Sequence, residues 1–302
     1  MRVLIVGCGY VGLPLGAELV RLGHEVSGLR RSAASENELK TAGIQPLFGD
    51  VTQPETLARL PREFDWVMNC VAAGGGADDY RQVYLQGTRN LIEWLAPASA
   101  EASARQALKK FVYTSSTSVY GQTDGSQVKE SSPTEPLAET AKILVETEKV
   151  LLAAVAERKF PAVILRVAGI YGPDRGHWFK QFLKDEARME GDGSRFLNMI
   201  HRDDLIGGII AALKNGRAGE IYNAADDEPV SQLHFFQWLA QALDKPLPPC
   251  EPDNPAENRK RGVTNKRVLN RRLKMELGYQ FKHPNFRKGY SAELLRLDRA
   301  PN

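Results

Sequence analysis

Three glycines, two arginines and a hydroxyl-rich segment are the places where this chain could do chemistry. "VLIVGCGYVGLPLGAEL" sets Gly7, Gly9 and Gly12 at G-x-G-x-x-G spacing, with Tyr10 and Val11 inside the loop, directly after an apolar run. Glycines so spaced permit a tight turn and a close backbone approach to a pyrophosphate. The helix that follows offers N–H donors and a favourable dipole. The motif alone is weak; between a strand and a helix it is specific. At the end of the second apolar run, "GHEVSGLRRS", Arg30 stands where dinucleotide-binding chains usually carry an acid for the ribose hydroxyls, and Arg31 follows. A carboxylate there repels a 2′-phosphate and a guanidinium pairs with it. NADP is therefore expected in preference to NAD, unless both arginines simply face solvent.

Further along, "YTSSTSVYG" holds Ser116 and Tyr120. Ser116 could hydrogen-bond a substrate oxygen or be spent on local backbone bonds. Tyr120 reads as a wall of the pocket, His201 in "IHRDD" as a structural hydrogen-bonding residue, and Asp203 as the cap of the next helix. Cys8 suits the loop as a small residue, and Gly74 to Gly76 form either a loop tip or a place of close approach.

These residues need elements to hold them. "RVLIV", "HEVSGL", "FDWVMNCVA", "KKFVYTSS", "AVILRVAGIYGP" and "EIYNAAD" are short apolar runs rich in β-branched residues. Amphipathic stretches at about 12–22, 35–42 and 79–95, and one opening at "PLAETAKILVETE", alternate with them. Continuous apolar strands alternating with helices predict an α/β fold with a doubly wound parallel sheet. From about Asp226 the pattern turns to helices and proline-rich loops, so a smaller carboxyl-terminal lobe is expected. The expected division is 1–170 plus about 199–225 for the cofactor-binding domain, and 171–198 plus 226–302 for the substrate lobe.

The remaining composition mainly excludes. A net charge of +3 over 302 residues gives no case for nucleic acid. Basic stretches such as "ENRKRGVTNKR" read as a solvated face, or else as a pocket for an acidic substrate. Cys8, Cys70 and Cys250 form no disulfide or zinc spacing, and no metal is expected. The chain enters a strand at once, with neither a leader nor a membrane-length apolar run, so a cytoplasmic protein is expected.

Together the motifs resemble the extended short-chain dehydrogenases/reductases, the NAD-dependent epimerase/dehydratase family, whose Rossmann fold fits the sheet expected above. "FGDVTQPETL" looks like the family segment that brings Asp50 and Val51 to the adenine. "YLQGTRNLI" looks like its Gly-Thr helix, "YTSSTSVYG" like its active-site strand with Ser116 as the catalytic hydroxyl, and "LRVAGIYGP" like the strand whose end meets the nicotinamide at Val167, Ala168 and Gly169. Ala72 is expected beside the cofactor, after the fourth strand. The resemblance implies an oxidoreductase or epimerase acting on a carbinol or carbonyl compound such as a nucleotide sugar, with a homodimer left open.

One departure is chemical. The family's Tyr-x-x-x-Lys reads Ala138-Glu139-Thr140-Ala141-Lys142 here. Alanine cannot move the proton that the tyrosine would, a contribution of typically 10²–10⁴-fold. Lys142 keeps an expected role on the nicotinamide ribose. Tyr84, three residues before Gly87 where the family often has Asn, is the expected stand-in, its phenol directed toward Ser116 and the nicotinamide. The alternative is a non-catalytic NADP-binding sensor or regulatory protein. A nucleotide-sugar dehydrogenase of another family would need a catalytic cysteine, and Cys250 lacks the setting.

Overall fold

The computed structural model describes residues 1–96, 108–252 and 264–297. Of the basic run "ENRKRGVTNKR", residues 257–263 lie outside them. Seven strands form one sheet: β1 (Arg2–Val6), β2 (Glu25–Arg30), β3 (Gln45–Phe48), β4 (Trp66–Asn69), β5 (Lys110–Ser116), β6 (Ala162–Val167) and β7 (Ile221–Ala224). Their order across the sheet is β7-β6-β5-β4-β1-β2-β3, and every neighbouring pair is parallel. The order reverses at β1 and β4, where such sheets bind ligands beyond the strand ends.

The side-chain alternation of β-structure explains why these strands are apolar on both faces. Val3 and Ile5 of β1 join Leu15, Leu19, Val112, Val163 and Leu165 in one buried cluster. Leu4 and Val6 join Val67, Phe111, Tyr113 and Ile164 in another, on the opposite face. Helices α1 (Gly12–Arg21), α2 (Glu36–Thr41), α3 (Gly87–Leu95), α4 (Glu139–Arg158) and α5 (Arg202–Asn215) complete the frame that positions the site. This is the doubly wound α/β architecture expected from the strand pattern.

A separate aromatic cluster builds the smaller lobe. Tyr171, Phe179, Phe182, Phe235, Phe236, Phe286 and Tyr290 are all buried in it. Tyr290 stacks on both Tyr171 and Phe179, at ring separations of 4.5 and 4.7 Å. No helix among the described residues is long and apolar enough to cross a membrane.

Two local readings need correction. The helix expected at 79–95 is helical from Ala77, but its second segment, Arg81–Gln86, winds as a π-helix before α3. The cap of α5 is His201, whose Nδ1 accepts the Asp203 amide at 3.2 Å, so Asp203 is capped rather than capping.

Candidate active site

At the carboxyl end of β1 the chain must turn sharply into α1. Gly7 has φ +91°, and a Cβ on it would meet the Val71 amide nitrogen at 2.9 Å. A Cβ on Gly12 would meet the Gly7 carbonyl oxygen at 2.3 Å. Gly9 faces open space, and no side chain caps the start of α1. A glycine turn open at Gly9, at an uncapped helix start, fits a pyrophosphate.

A cavity of about 500 Å³ opens from this loop. Gly7, Gly9, Tyr10 and Val11 border it, as do Arg30, Arg31, Asp50, Val51 and Ala72. Tyr84, Ser116, Val167 and Ala168 border it too. Gly12 packs beneath the loop instead, and Gly169 lines a second cavity. The fold thus brings residues from the ends of β1, β2, β5 and β6 and from the segments after β3 and β4, far apart in sequence, to one opening.

Local bonds fix the walls. Val51 packs on Gly87, where a Cβ would come within 2.8 Å of Val51 Cγ2. Asn90 Nδ2 donates to the Val51 carbonyl at 2.7 Å. The Asp50 carboxylate accepts from Thr52 N and Oγ1, both at 2.9 Å, which closes its own turn. Arg30 is 18% exposed at its side chain, with Nη1 2.6 Å from Glu38 Oε2 and Nη2 donating to the Cys8 carbonyl. Arg31 is exposed on the same rim. The Tyr10 hydroxyl donates to the Pro173 carbonyl at 3.0 Å, and the Arg175 and Arg202 guanidinium groups lie over its ring. Burial pushes the Cys8 thiol up to about 12, so it is no nucleophile.

Ser116, Ala168 and Ile170 also border the second cavity, of about 370 Å³, which reaches into the aromatic lobe. Gly169, Tyr171, His177, Trp178, Arg195, Asn198, Lys266 and Tyr290 are among its other walls. Ser116 Oγ accepts the Ser118 amide at 3.2 Å, so the local bond expected of it exists beside its place at the junction.

Three sequence readings change. Lys142 borders neither cavity; its side chain is 55% exposed and sits 3.8 Å from Glu139. The reason is helical register: the buried side of the first turns of α4 carries Thr140, Ala141, Ile143, Leu144, Thr147 and Glu148, and Lys142 falls outside it. Ala138 precedes that helix as an extended residue. Tyr84 does border the cofactor cavity, but its hydroxyl accepts the Ala73 amide at 3.2 Å and it does not reach the second cavity. Tyr120 is no pocket wall. It is fully buried, donates to Asn223 Oδ1 at 2.7 Å and accepts from Arg166 Nη1 at 3.0 Å.

Lys266, Arg195, Trp178 and Arg175 were missed as individual site residues. For Lys266 a signal existed: "KRV" alternates inward and outward as a strand, and Lys266 and Val268 both point in. His201, Asp203 and His283 bring ligand atoms within 4.8 Å of one another. His201 Nδ1 is spent on the cap and the positive end of α5 lies beside it, so the trio gives no case for a cation.

Known proteins give the site its context. Residues 3–225 match the model of the NAD dependent epimerase/dehydratase family. Protein YeeZ of Escherichia coli K12 is 27% identical over 295 residues, covering 94% of this chain and 97% of YeeZ. A solved structure of a candidate NAD-dependent epimerase/dehydratase from Methylobacillus flagellatus is 32% identical, covers 99% of both chains and superposes with a TM-score of 0.75. DesIV, a dTDP-glucose 4,6-dehydratase of Streptomyces venezuelae solved with NAD and TYD bound, shares the fold at 23% identity and a TM-score of 0.81, over 99% of this chain and 98% of DesIV.

Proposed function

The chain belongs to the NAD dependent epimerase/dehydratase family, and from that premise we propose that it is an NADP-dependent oxidoreductase or epimerase acting on a carbinol or carbonyl substrate. The observation that carries this reading is the junction at Ser116, where a cavity beginning at the glycine cradle meets one beginning in the aromatic lobe. A dinucleotide laid along the first cavity would have its pyrophosphate over Gly7 and Gly9. Its adenosine end would lie toward Arg30, Arg31 and Asp50, and its nicotinamide end toward Val167, Ala168 and Ser116. The nicotinamide supplies hydride transfer. Ser116 would hold the substrate oxygen, and Tyr84 would fix the backbone at Ala73 beside the ring.

The relative solved with a dinucleotide holds NAD. Here the rim of β2 carries two arginines, with Ser32 and Ser35 beside them, a set of donors suited to a phosphate on the ribose. Glu38 now holds Arg30 and would yield it, while Arg31 makes no ion pair among the described residues. Arg195 and Lys266 in the second cavity favour an acidic substrate, of which a nucleotide sugar is one type. The proposed division assigns 1–170 and 199–225 to the cofactor and the remainder to the substrate, in a cytoplasmic enzyme. The regulatory alternative is favoured by Ala138 and opposed by the two joined cavities.

The test is oxidation of NADPH by the purified protein across nucleotide-sugar and simple carbonyl compounds. Turnover that Ser116→Ala lowers supports the enzyme. Tight NADPH binding without turnover on any compound supports the sensor.

A further inference from the structure

A reaction that adds or removes hydride at a carbinol carbon must also move a proton at its oxygen, and neither expected residue serves. Lys142 faces solvent. Tyr84 borders the cofactor cavity but not the second one. Among the titratable groups on the second cavity's wall, His177 is exposed and packs on Trp178, and Arg195 is paired with Glu190 at 2.5 Å. The Tyr171 hydroxyl donates to the Asn285 carbonyl at 3.3 Å, and burial raises both Tyr171 and Tyr290 far above the phenol range.

Lys266 differs from all of these. It borders the second cavity, is 4% exposed, and has no carboxylate partner among the described residues. Its strand, Lys266–Val268, pairs with Ser126–Val128. Asn198 clamps that strand by donating to the Lys266 carbonyl at 2.9 Å and accepting from Val268 N at 2.7 Å. Nζ donates to the Tyr120 carbonyl at 3.0 Å and to Thr264 Oγ1 at 2.7 Å. An ammonium has three donors, so one remains after these two bonds.

We propose that Lys266 Nζ is the group that gives and takes the proton at the substrate oxygen in the second cavity. The inference rests on the oxidoreductase reading above. In reduction, the Lys266 ammonium would give its proton to the carbonyl oxygen as the carbon accepts the hydride that a bound reduced nicotinamide would supply. The balance would be a carbinol, the oxidised cofactor and a neutral amine, which would regain its proton from solvent. Oxidation runs the same transfers backward. Burial, with the Arg195 charge facing it, lowers the Lys266 pKa to about 8, so the amine exchanges protons near neutral pH.

The test needs no substrate. The whole protein is labelled with ¹³C-lysine, and each lysine Cε signal is titrated by NMR. The Lys266 signal is assigned by its loss in Lys266→Arg, and by through-bond correlation to the Lys266 backbone should that variant fail to fold. A midpoint near 8, against about 10.4 for ordinary lysines, is expected. Titration together with the exposed lysines overturns the proposal. Failure of the cofactor reading would be seen separately, as absence of NADPH binding to the same protein.

Discussion

Arg166 of β6 and Glu148 of α4 form an ion pair at 2.7 Å with side chains 5% and 4% exposed. Burial works against the Arg166 charge, but its bonds to Glu148 outweigh that and raise its pKa. Ser115 donates to the same carboxylate at 2.6 Å, and Arg166 reaches on to the Tyr120 hydroxyl. The pair therefore anchors the strand that ends at Ser116 and the segment whose Tyr120 carbonyl holds Lys266.

Glu148→Gln keeps the shape and strands the guanidinium. Removing one partner of a buried pair costs about 3–5 kcal/mol, so urea unfolding should show a loss of that size. A loss below about 1 kcal/mol, the range of exposed pairs, would mean that the network is not held by charge.

Acid should weaken the fold through His201. Burial, then His283 beside it, lowers its pKa from 6.5 to about 4, with Asp203, Asp204 and Arg202 also nearby. Between these values the unfolded chain binds a proton that the folded chain refuses, so stability rises with pH there and is lost on acidification. His201→Asn keeps an acceptor for the Asp203 amide and should flatten the stability profile between pH 4 and 6.5. An unchanged profile would assign the acid sensitivity elsewhere.

The cradle separates packing from binding. Gly12→Ala places a methyl against the Gly7 carbonyl and should cost about 1–3 kcal/mol of stability. Gly9→Ala meets nothing within 4 Å, so its stability should stay within about 0.5 kcal/mol while NADPH affinity falls. Equal destabilisation by both would contradict an open space above Gly9.

The sheet was legible because strands buried on both faces must be largely apolar, as β6 is in "AVILRV" apart from Arg166. The cradle was legible because turn, close approach and helix start constrain three glycines within six positions. Lys142 misled because spacing fixes which residues share a helix face but not which face is buried; that depends on what α4 packs against. Tyr120 misled because its partners, Asn223 and Arg166, lie 103 and 46 residues away. Lys266 was hidden because a lysine in a basic run is ordinarily solvated. Only the Asn198 clamp and the pairing with Ser126–Val128 turn it inward.

The most direct measurement is a pair of fluorescence titrations, NADPH and NADH, on the wild type and on Arg30→Ala. A charge-assisted bond to the 2′-phosphate is worth about 1.5–3 kcal/mol, so the wild type should prefer NADPH by about 10–100-fold and the variant should lose most of that preference. Equal affinity of the wild type for both cofactors, or an undiminished preference in Arg30→Ala, would contradict the account.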